Sequence, residues 1–305
     1  MVKVIDKEVL SSDKKHQLKG KLYIPEGKAK GLFHVVHGMT EYIERYDGFM
    51  REMAEEGYIT FGYDHLGHGM TASDSSELGY IAPKNGWELL VDDVFVFGNS
   101  IKKAIGEDLP FTLMGHSMGS FIVRLTAVKY NHYDKLIIMG TGGPNPAAGA
   151  GIAVTTVSKR VRGDHSISEP VYRLAFGSYN KRFKDENDPY AWLSVDKENR
   201  DHYREDRLCT FRFTVSAMQD LIRLNKGSNE KAWFAAVDKT KPVLLTSGSE
   251  DPVGDYGAGV RKVYKLLKAQ GVDVTLKLYD GYRHEILNDG CRDQVIADIK
   301  AFIAE

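Results

Sequence analysis

Phe111-Thr112-Leu113-Met114-Gly115-His116-Ser117-Met118-Gly119 is the stretch whose reading orders the rest of this 305-residue chain. A short apolar run stops at a G-x-S-x-G turn, and a helical pattern follows in Phe121-Ile122-Val123-Arg124-Leu125. In such a turn the backbone passes abruptly from strand to helix. Gly115 and Gly119 remove the Cβ atoms that would collide, while Ser117 is held in a strained conformation. The serine Oγ is thereby lifted clear of a sheet, above a helix N-terminus that favours developing negative charge. By itself the pentapeptide also fits an ordinary glycine-rich turn. A nucleophile needs a base and a carboxylate as well, and the rest of the chain must supply them.

Both are found downstream. Lys241-Pro242-Val243-Leu244-Leu245-Thr246 reads as a buried strand, and Ser247-Gly248-Ser249-Glu250-Asp251-Pro252-Val253 as the loop at its C-terminal end. Asp251 is placed there for an acid, with Glu250 and Asp255 as rivals. An amphipathic helix follows (Val260, Val263, Tyr264, Leu267), and then the alternating strand Val272, Val274, Leu276, Leu278, which ends in Asp280-Gly281-Tyr282-Arg283-His284-Glu285. His284 is placed for the base. The chain order Ser117, Asp251, His284 is that of the α/β-hydrolase fold and differs from the chymotrypsin and subtilisin orders.

The remaining pattern agrees with that fold class. Two opening strands, around Val2 to Leu10 and Gln17 to Ile24, are joined by a turn short enough to make them antiparallel. Strands then alternate with helices: Leu32 to Val36, Arg45 to Glu56 helical, Ile59 to Asp64, Trp87 to Ile105 helical, Phe111 to Met114, Ser120 to Tyr130 helical, Lys135 to Met139. This predicts a mostly parallel central sheet with helices on both faces. From Gly142 to about Val237 no strong strand appears, and the segment is too long for a loop. Residues 143–235 are therefore expected to form a helical cap inserted into a core of residues 1–142 and 236–305. The cap aromatics Tyr172, Phe176, Tyr179, Tyr190, Trp192 and Trp233 are expected to divide between a small cap core and an acyl tunnel.

Hydrolysis through a tetrahedral oxyanion needs two backbone donors. One is expected from Met118, the residue after the nucleophile. The other is expected from Met39, after Val35-Val36-His37-Gly38, where Gly38 lets the chain turn. His37 and His116 read as buried structural histidines, and Asp64 and His68 as braces of a loop beside the pocket.

Whole-chain composition is that of a water-soluble enzyme. A net charge of −1 argues against a nucleic-acid binder. Two cysteines, Cys209 and Cys291, are too few for a disulfide framework and suggest free thiols in a reducing compartment. No signal-peptide pattern opens the chain and no apolar run reaches 18 residues, so a cytoplasmic location is expected. His65 and His68 lie in a glycine-rich loop without a thiolate cluster, and neither metal nor cofactor is expected. The basic run Lys159-Arg160-Val161-Arg162, with Lys181-Arg182, reads either as a solvated helix face or as a contact with anionic lipid.

Four segments in order, His37-Gly38-Met39-Thr40-Glu41-Tyr42 with Arg45-Tyr46, Asp64-His65-Leu66-Gly67-His68-Gly69, the Gly115 to Gly119 turn, and Asp251 with His284-Glu285-Ile286-Leu287-Asn288, closely resemble the monoacylglycerol lipase and lysophospholipase branch of the α/β-hydrolases. The cap stretch Asn187-Asp188-Pro189-Tyr190-Ala191-Trp192-Leu193-Ser194 and Asp206-Arg207-Leu208-Cys209 resemble bacterial lysophospholipase-like members. Three positions depart from the pattern: Tyr42 where histidine is usual, Thr71 where serine is frequent, and Ser120 where a third glycine commonly follows. The resemblance implies a cofactor-independent serine hydrolase of carboxylic esters, with a small acyl ester or monoacyl lipid as substrate and a mobile cap that shapes the acyl pocket. Glu41 and Arg45 are expected to pair with each other near the site. The alternatives are a short-chain esterase, thioesterase or aminopeptidase of the same fold, and a ligand-binding protein without catalysis.

Overall fold

The computed structural model describes residues 1–304. In chain order the elements are β1 (Lys3–Leu10), β2 (Gln17–Ile24), β3 (Gly31–Val36), α1 (Asp47–Glu55), β4 (Tyr58–Tyr63), α2 (Gly86–Ile105), β5 (Phe111–His116), α3 (Met118–Tyr130), β6 (Lys135–Met139), α4 (Ala148–Arg162), α5 (Glu169–Phe176), α6 (Lys197–Glu205), α7 (Val215–Ser228), α8 (Lys231–Ala236), β7 (Val243–Gly248), α9 (Ala258–Ala269), β8 (Val274–Tyr279) and α10 (Arg292–Ala304). One eight-stranded sheet runs in the order β1-β2-β4-β3-β5-β6-β7-β8. β1 and β2 pair antiparallel, β2 meets β4 antiparallel, and every pairing from β4 to β8 is parallel.

The central strands read as unbroken apolar runs because both of their faces are covered. Alternate residues go to opposite layers. Leu32, Leu113 and Ile138 join a core with Phe97 of α2, Ile122 of α3 and Val260 of α9. Phe33, Met114 and Ile137 join another with Phe49 and Met50 of α1 and Val295 and Ile299 of α10. Crossovers of this kind put the C-terminal ends of the parallel strands at one rim of the sheet, where ligands bind in open α/β folds.

Most strand boundaries shift by one or two residues from the sequence expectation, and three differences have a clear physical reason. The helix expected from Arg45 opens as a 3-10 turn at Ile43–Tyr46, and α1 starts only at Asp47, because Tyr46 (φ −101, ψ 7) leaves α geometry. The helix after Ser117 begins at Met118, two residues early, so the turn feeds the helix with no linker. β8 starts at Val274, since the Val272 N–H is used to close the end of α9 on the Leu267 carbonyl.

Between β6 and β7 lie only helices and turns. α7 packs across α3 and α2, and α4 packs on α7. α8 crosses the boundary expected near residue 236 and belongs with the core in its contacts: Trp233 Nε1 donates to the Arg124 carbonyl of α3 at 2.6 Å, and the Arg124 guanidinium sits 4.3 Å from the Trp233 ring centroid.

Candidate active site

Ser117 occupies the single residue between β5 and α3, with φ 53 and ψ −120. A non-glycine residue in that region is strained and persists only where its surroundings over-determine it. The flanking glycines show what does so. A Cβ on Gly119 would lie 2.2 Å from the Val36 carbonyl oxygen, and one on Gly115 2.3 Å from the carbonyl oxygen of Gly119. The elbow is thus packed against β3 with no room for a side chain. Ser120 Oγ donates to the Ser117 carbonyl at 2.5 Å, which ties the first turn of α3 to the elbow.

Asp251 and His284 meet across the loops that follow β7 and β8. Asp251 is fully buried; its Oδ2 accepts from His284 Nδ1 at 2.9 Å and from Ser247 Oγ at 3.2 Å, and its Oδ1 from the Val253 N–H at 2.8 Å. Neither rival bonds His284, although Asp255 lines the same cavity as His284. Glu250 pairs with Arg182 at 3.0 Å, and Asp255 is exposed in a left-handed backbone conformation. His284 and Ser117 both line a cavity of about 830 Å³, together with Met39 and Met118.

Gly38 approaches the elbow so closely that a Cβ there would meet Ser117 Cβ at 2.9 Å, and its N–H is held by the Glu41 carboxylate. Below this loop lies a buried charge cluster. His116 Nδ1 lies 3.0 Å from Glu41 Oε1 and 2.9 Å from Tyr46 Oη, and His116 Nε2 donates to the His284 carbonyl at 3.2 Å. Arg45 pairs with Glu41 as expected, at 3.5 Å, and its fork also closes on Glu285, at 2.6 and 2.8 Å. Asn199 of α6 completes the group by donating to Glu285 at 2.8 Å. Burial opposes the charge on Glu285, yet Arg45 and Asn199 outweigh it and hold the carboxyl down at about 2.

Glu41 and His116 form a second pair of the same kind. Burial works against both charges, but each stabilises the other, so Glu41 is held below its ordinary value and His116 above. Glu41 therefore stabilises the fold above about pH 4.5, and that contribution fades as the pH falls through its lowered folded value. His116 contributes fully below about pH 6.5 and fades as the pH rises through its raised folded value. Glu41→Gln is expected to cost about 3–5 kcal/mol, as breaking a buried pair does. Urea unfolding of variant and parent should show the largest gap near pH 5 to 6, shrinking as the pH rises through the raised folded value of His116; a pH-independent gap would rule out the ion pair.

The other histidines serve structure. The His65 N–H donates to His37 Nε2 at 3.0 Å, His65 Nε2 lies 3.1 Å from the His37 carbonyl oxygen, and His68 Nδ1 lies 3.0 Å from that of Leu66. Burial brings His65 down to about 3 and His68 to about 4. Asp64 accepts from the Ile43 and Met70 N–H groups at 2.8 and 2.7 Å. Among the described residues no group of three or more His, Cys, Asp or Glu is placed to hold a metal ion.

The lining of the cavity divides by chemistry. Phe121, Tyr172, Phe176, Leu221, Ile222 and Val253 supply apolar surface, whereas Thr40, Glu41, Tyr203, Thr210 and Arg212 supply polar groups. Tyr179, Tyr190 and Trp192 also line it; Trp233 does not.

With the geometry of the site in view, the relatives of the chain fall into one group. Residues 27–290 match the Hydrolase_4 family, described as serine aminopeptidase, S33. The chain belongs to this family. It is 28% identical to the monoglyceride lipase of Homo sapiens over 261 residues, covering 85% of this chain and 77% of that one. It is 25% identical to the monoacylglycerol lipase of Mycolicibacterium smegmatis over 295 residues, covering 92% and 91%. A thermostable carboxyl esterase from Bacillus coagulans, solved in complex with glycerol, superposes with a TM-score of 0.92 at 29% identity over 99% and 98% of the two chains. The chain is an α/β-hydrolase of the monoacylglycerol lipase branch and an enzyme of the carboxylic ester hydrolase class.

Its departures from the family pattern now have structural accounts. Tyr42 donates to Asp206 of the inserted segment at 2.7 Å and has no hydrogen bond with Glu41. Thr71 Oγ1 donates to the Asp64 carbonyl at 2.6 Å and accepts from the Lys19 N–H at 2.9 Å, so it braces the loop as a serine would. Glu285 and Asn199 are the site residues whose roles sequence reasoning missed. For Glu285 the available signal was its position directly after His284; for Asn199 there was none.

Proposed function

We propose that the protein is a serine hydrolase of monoacyl lipids, a lysophospholipase or monoacylglycerol lipase, working through an acyl-enzyme on Ser117. His284, oriented at Nδ1 by Asp251, takes the proton from Ser117 as the serine attacks the ester carbonyl. The backbone N–H groups of Met39 and Met118 receive the oxyanion, the alcohol leaves with the proton from His284, and water then releases the acid by the same route. Loss of one oxyanion donor typically costs about 3 kcal/mol of barrier.

The observation that carries the substrate class is the mixed lining of the cavity beside Ser117. Its apolar side chains fit one acyl chain, and Thr40 and Tyr203, 2.7 Å apart, offer polar contacts to a hydroxylated or phosphorylated alcohol. The relatives named as monoglyceride lipases support the same substrate class. An aminopeptidase reading is disfavoured by the carboxylates. Glu41 and Glu285 are already paired, with His116 and Arg45, and Asp255 is exposed, so none is free and enclosed to receive an α-ammonium group. Two buried cysteines that form no disulfide support a cytoplasmic site of action.

The assigned cap, residues 143–235, would give access to lipid. Val154, Val157 and Val161, spaced along one face of α4, are exposed, the last two at 59% and 76%, and Leu174 of α5 is 72% exposed. Arg160 and Arg162 lie on the same helix, whose opposite face, through Thr155, bonds Gln219 of α7. This supports transient contact with an anionic lipid surface. No described helix is long and apolar enough to cross a membrane.

The test is a panel of monoacylglycerols, lysophospholipids, short-chain esters and aminoacyl anilides. The expected result is highest kcat/KM on a long-chain monoacyl ester and none on the anilides; the reverse order would overturn the reading. Val157→Asp with Val161→Asp should reduce turnover of substrate in anionic vesicles at least about tenfold by loss of buried apolar area and added repulsion. Soluble p-nitrophenyl butyrate should be hydrolysed at the parent rate. Equal vesicle turnover would remove the surface contact alone.

A further inference from the structure

Both backbone polar groups of His284 are held from outside its own loop. Its N–H donates to the Leu193 carbonyl at 2.9 Å, and its carbonyl accepts from His116 Nε2 at 3.2 Å. The next N–H, that of Glu285, goes to the same Leu193 carbonyl at 2.8 Å. The imidazole lies beside the rings of His116 and Trp192, with centroids 4.7 and 5.2 Å away. Three of these constraints come from Trp192 and Leu193, in a stretch of turns between α5 and α6.

Asn180 Oδ1 accepts from the Trp192 N–H at 2.9 Å, and the loop that the stretch serves supplies further ties. Arg283, the neighbour of His284, donates through Nη1 to the carbonyls of Ala191 and Ser194, the latter at 3.2 Å, so that one guanidinium nitrogen bonds on both sides of Leu193. Its Nη2 pairs with the Glu186 carboxylate, and its plane lies 3.9 Å from the Phe183 ring centroid. On the far side of His284, Asp289 Oδ2 accepts from Ser194 Oγ at 2.8 Å and from the Val195 N–H at 2.9 Å. Arg283 is only 8% exposed and is absent from the cavity wall.

We infer that Arg283 is a positioning residue for the base, acting through the inserted segment: it grips residues 191–194 so that the Leu193 carbonyl sets where the His284 backbone sits relative to Ser117. Asp289 is the second jaw of the same clamp. The inference rests on the proposed role of His284. Asp251 orients the ring about one nitrogen, but a hydrogen bond at Nδ1 leaves the ring free to shift as a body, and in-line proton transfer is sensitive to shifts of that size. An arginine suits the task because its planar fork reaches two carbonyls and a carboxylate while its face stacks on an aromatic ring; a lysine ammonium is a point charge and does only part of this. It follows that this part of the insertion stays with the core during turnover, and that any opening is confined to α4 and α5.

The test uses p-nitrophenyl acetate, whose acyl group is too small to depend on the acyl wall. Arg283→Ala is expected to lower kcat about 30- to 100-fold, the scale of a misplacement near 1 Å, with KM within twofold. The rate constant for fluorophosphonate labelling of Ser117, normalised to folded protein by near-ultraviolet circular dichroism, should fall in parallel. Arg283→Lys should recover part of the loss, and Asp289→Ala should show the same kcat-only signature; these two carry the test if Arg283→Ala does not fold. A role in stability alone would lower Tm and leave kcat and labelling per folded molecule at parent values, which overturns the inference. So would a raised KM at unchanged kcat, which would make the segment part of substrate binding. His284→Ala separates the two levels: an active His284→Ala would refute the base assignment itself, whereas an inactive one beside a fully active Arg283→Ala would remove only the clamp.

Discussion

Ser117→Ala is expected to lower kcat on acyl esters by about 10⁴-fold or more, the scale seen when a triad nucleophile is removed, and to leave the fold intact. The substitution keeps the Cβ that the elbow already accommodates and deletes only Oγ. Ser117→Gly should be equally inactive and at least as stable as the parent. At φ 53 and ψ −120 the serine stores strain of about 1–3 kcal/mol that glycine does not carry, against about 0.5–1 kcal/mol of extra chain entropy lost by glycine. Thermal unfolding separates the two variants, and mass spectrometry after fluorophosphonate treatment locates the adduct. An adduct on another serine such as Ser120, or substantial turnover by the alanine variant, would show that the elbow is not the nucleophile.

The elbow was legible in the sequence because its requirement is local. A backbone that passes within 2.2 Å of where a Cβ would be admits only glycine, and that constraint leaves its mark at Gly115 and Gly119 whatever the rest of the chain does. The alternation of strands and helices was legible for a similar reason, since strands covered on both faces must be apolar throughout. Arg45 shows where such reasoning ends. Its expected pair with Glu41 forms, at 3.5 Å. The closer partner is Glu285, 240 positions away, on which the guanidinium fork closes from a 3-10 turn. Nothing near Arg45 encodes that partner. The inserted segment was legible by its lack of strands, but the division of its aromatics was not: Trp233, counted with the others, lies under α3 with its indole N–H on the Arg124 carbonyl. Which side of a helix meets the cavity depends on how α7 crosses the sheet, a property of the assembled layers.

The acidic member of the proposed triad is where sequence left a choice of three, and the geometry around Asp251 turns that choice into the second large expected effect. Asp251→Asn is expected to lower kcat by about 10⁴-fold, whereas Glu250→Gln and Asp255→Asn stay within a few fold of the parent. The reason lies in the donors around the carboxylate. Oδ1 already receives the Val253 N–H at 2.8 Å, and an asparagine satisfies that donor only by placing its carbonyl oxygen there. Its NH₂ group then points at His284 Nδ1, where the carboxylate had accepted a hydrogen bond. Facing a donor, Nδ1 must become the acceptor, so the imidazole proton moves to Nε2, the nitrogen that has to receive the proton of Ser117. The ring is held in the wrong tautomer while its position hardly changes. Glu250 and Asp255 have no such hold on the ring: the first is engaged with Arg182, and the second is an exposed residue of the cavity lining with no hydrogen bond to His284. Steady-state kinetics of the three variants on one soluble ester decides the matter. If Glu250→Gln or Asp255→Asn proved as damaging as Asp251→Asn, or if Asp251→Asn kept a tenth of the parent rate, the tautomer argument would fail and the acid would have to be sought elsewhere in the loop after β7.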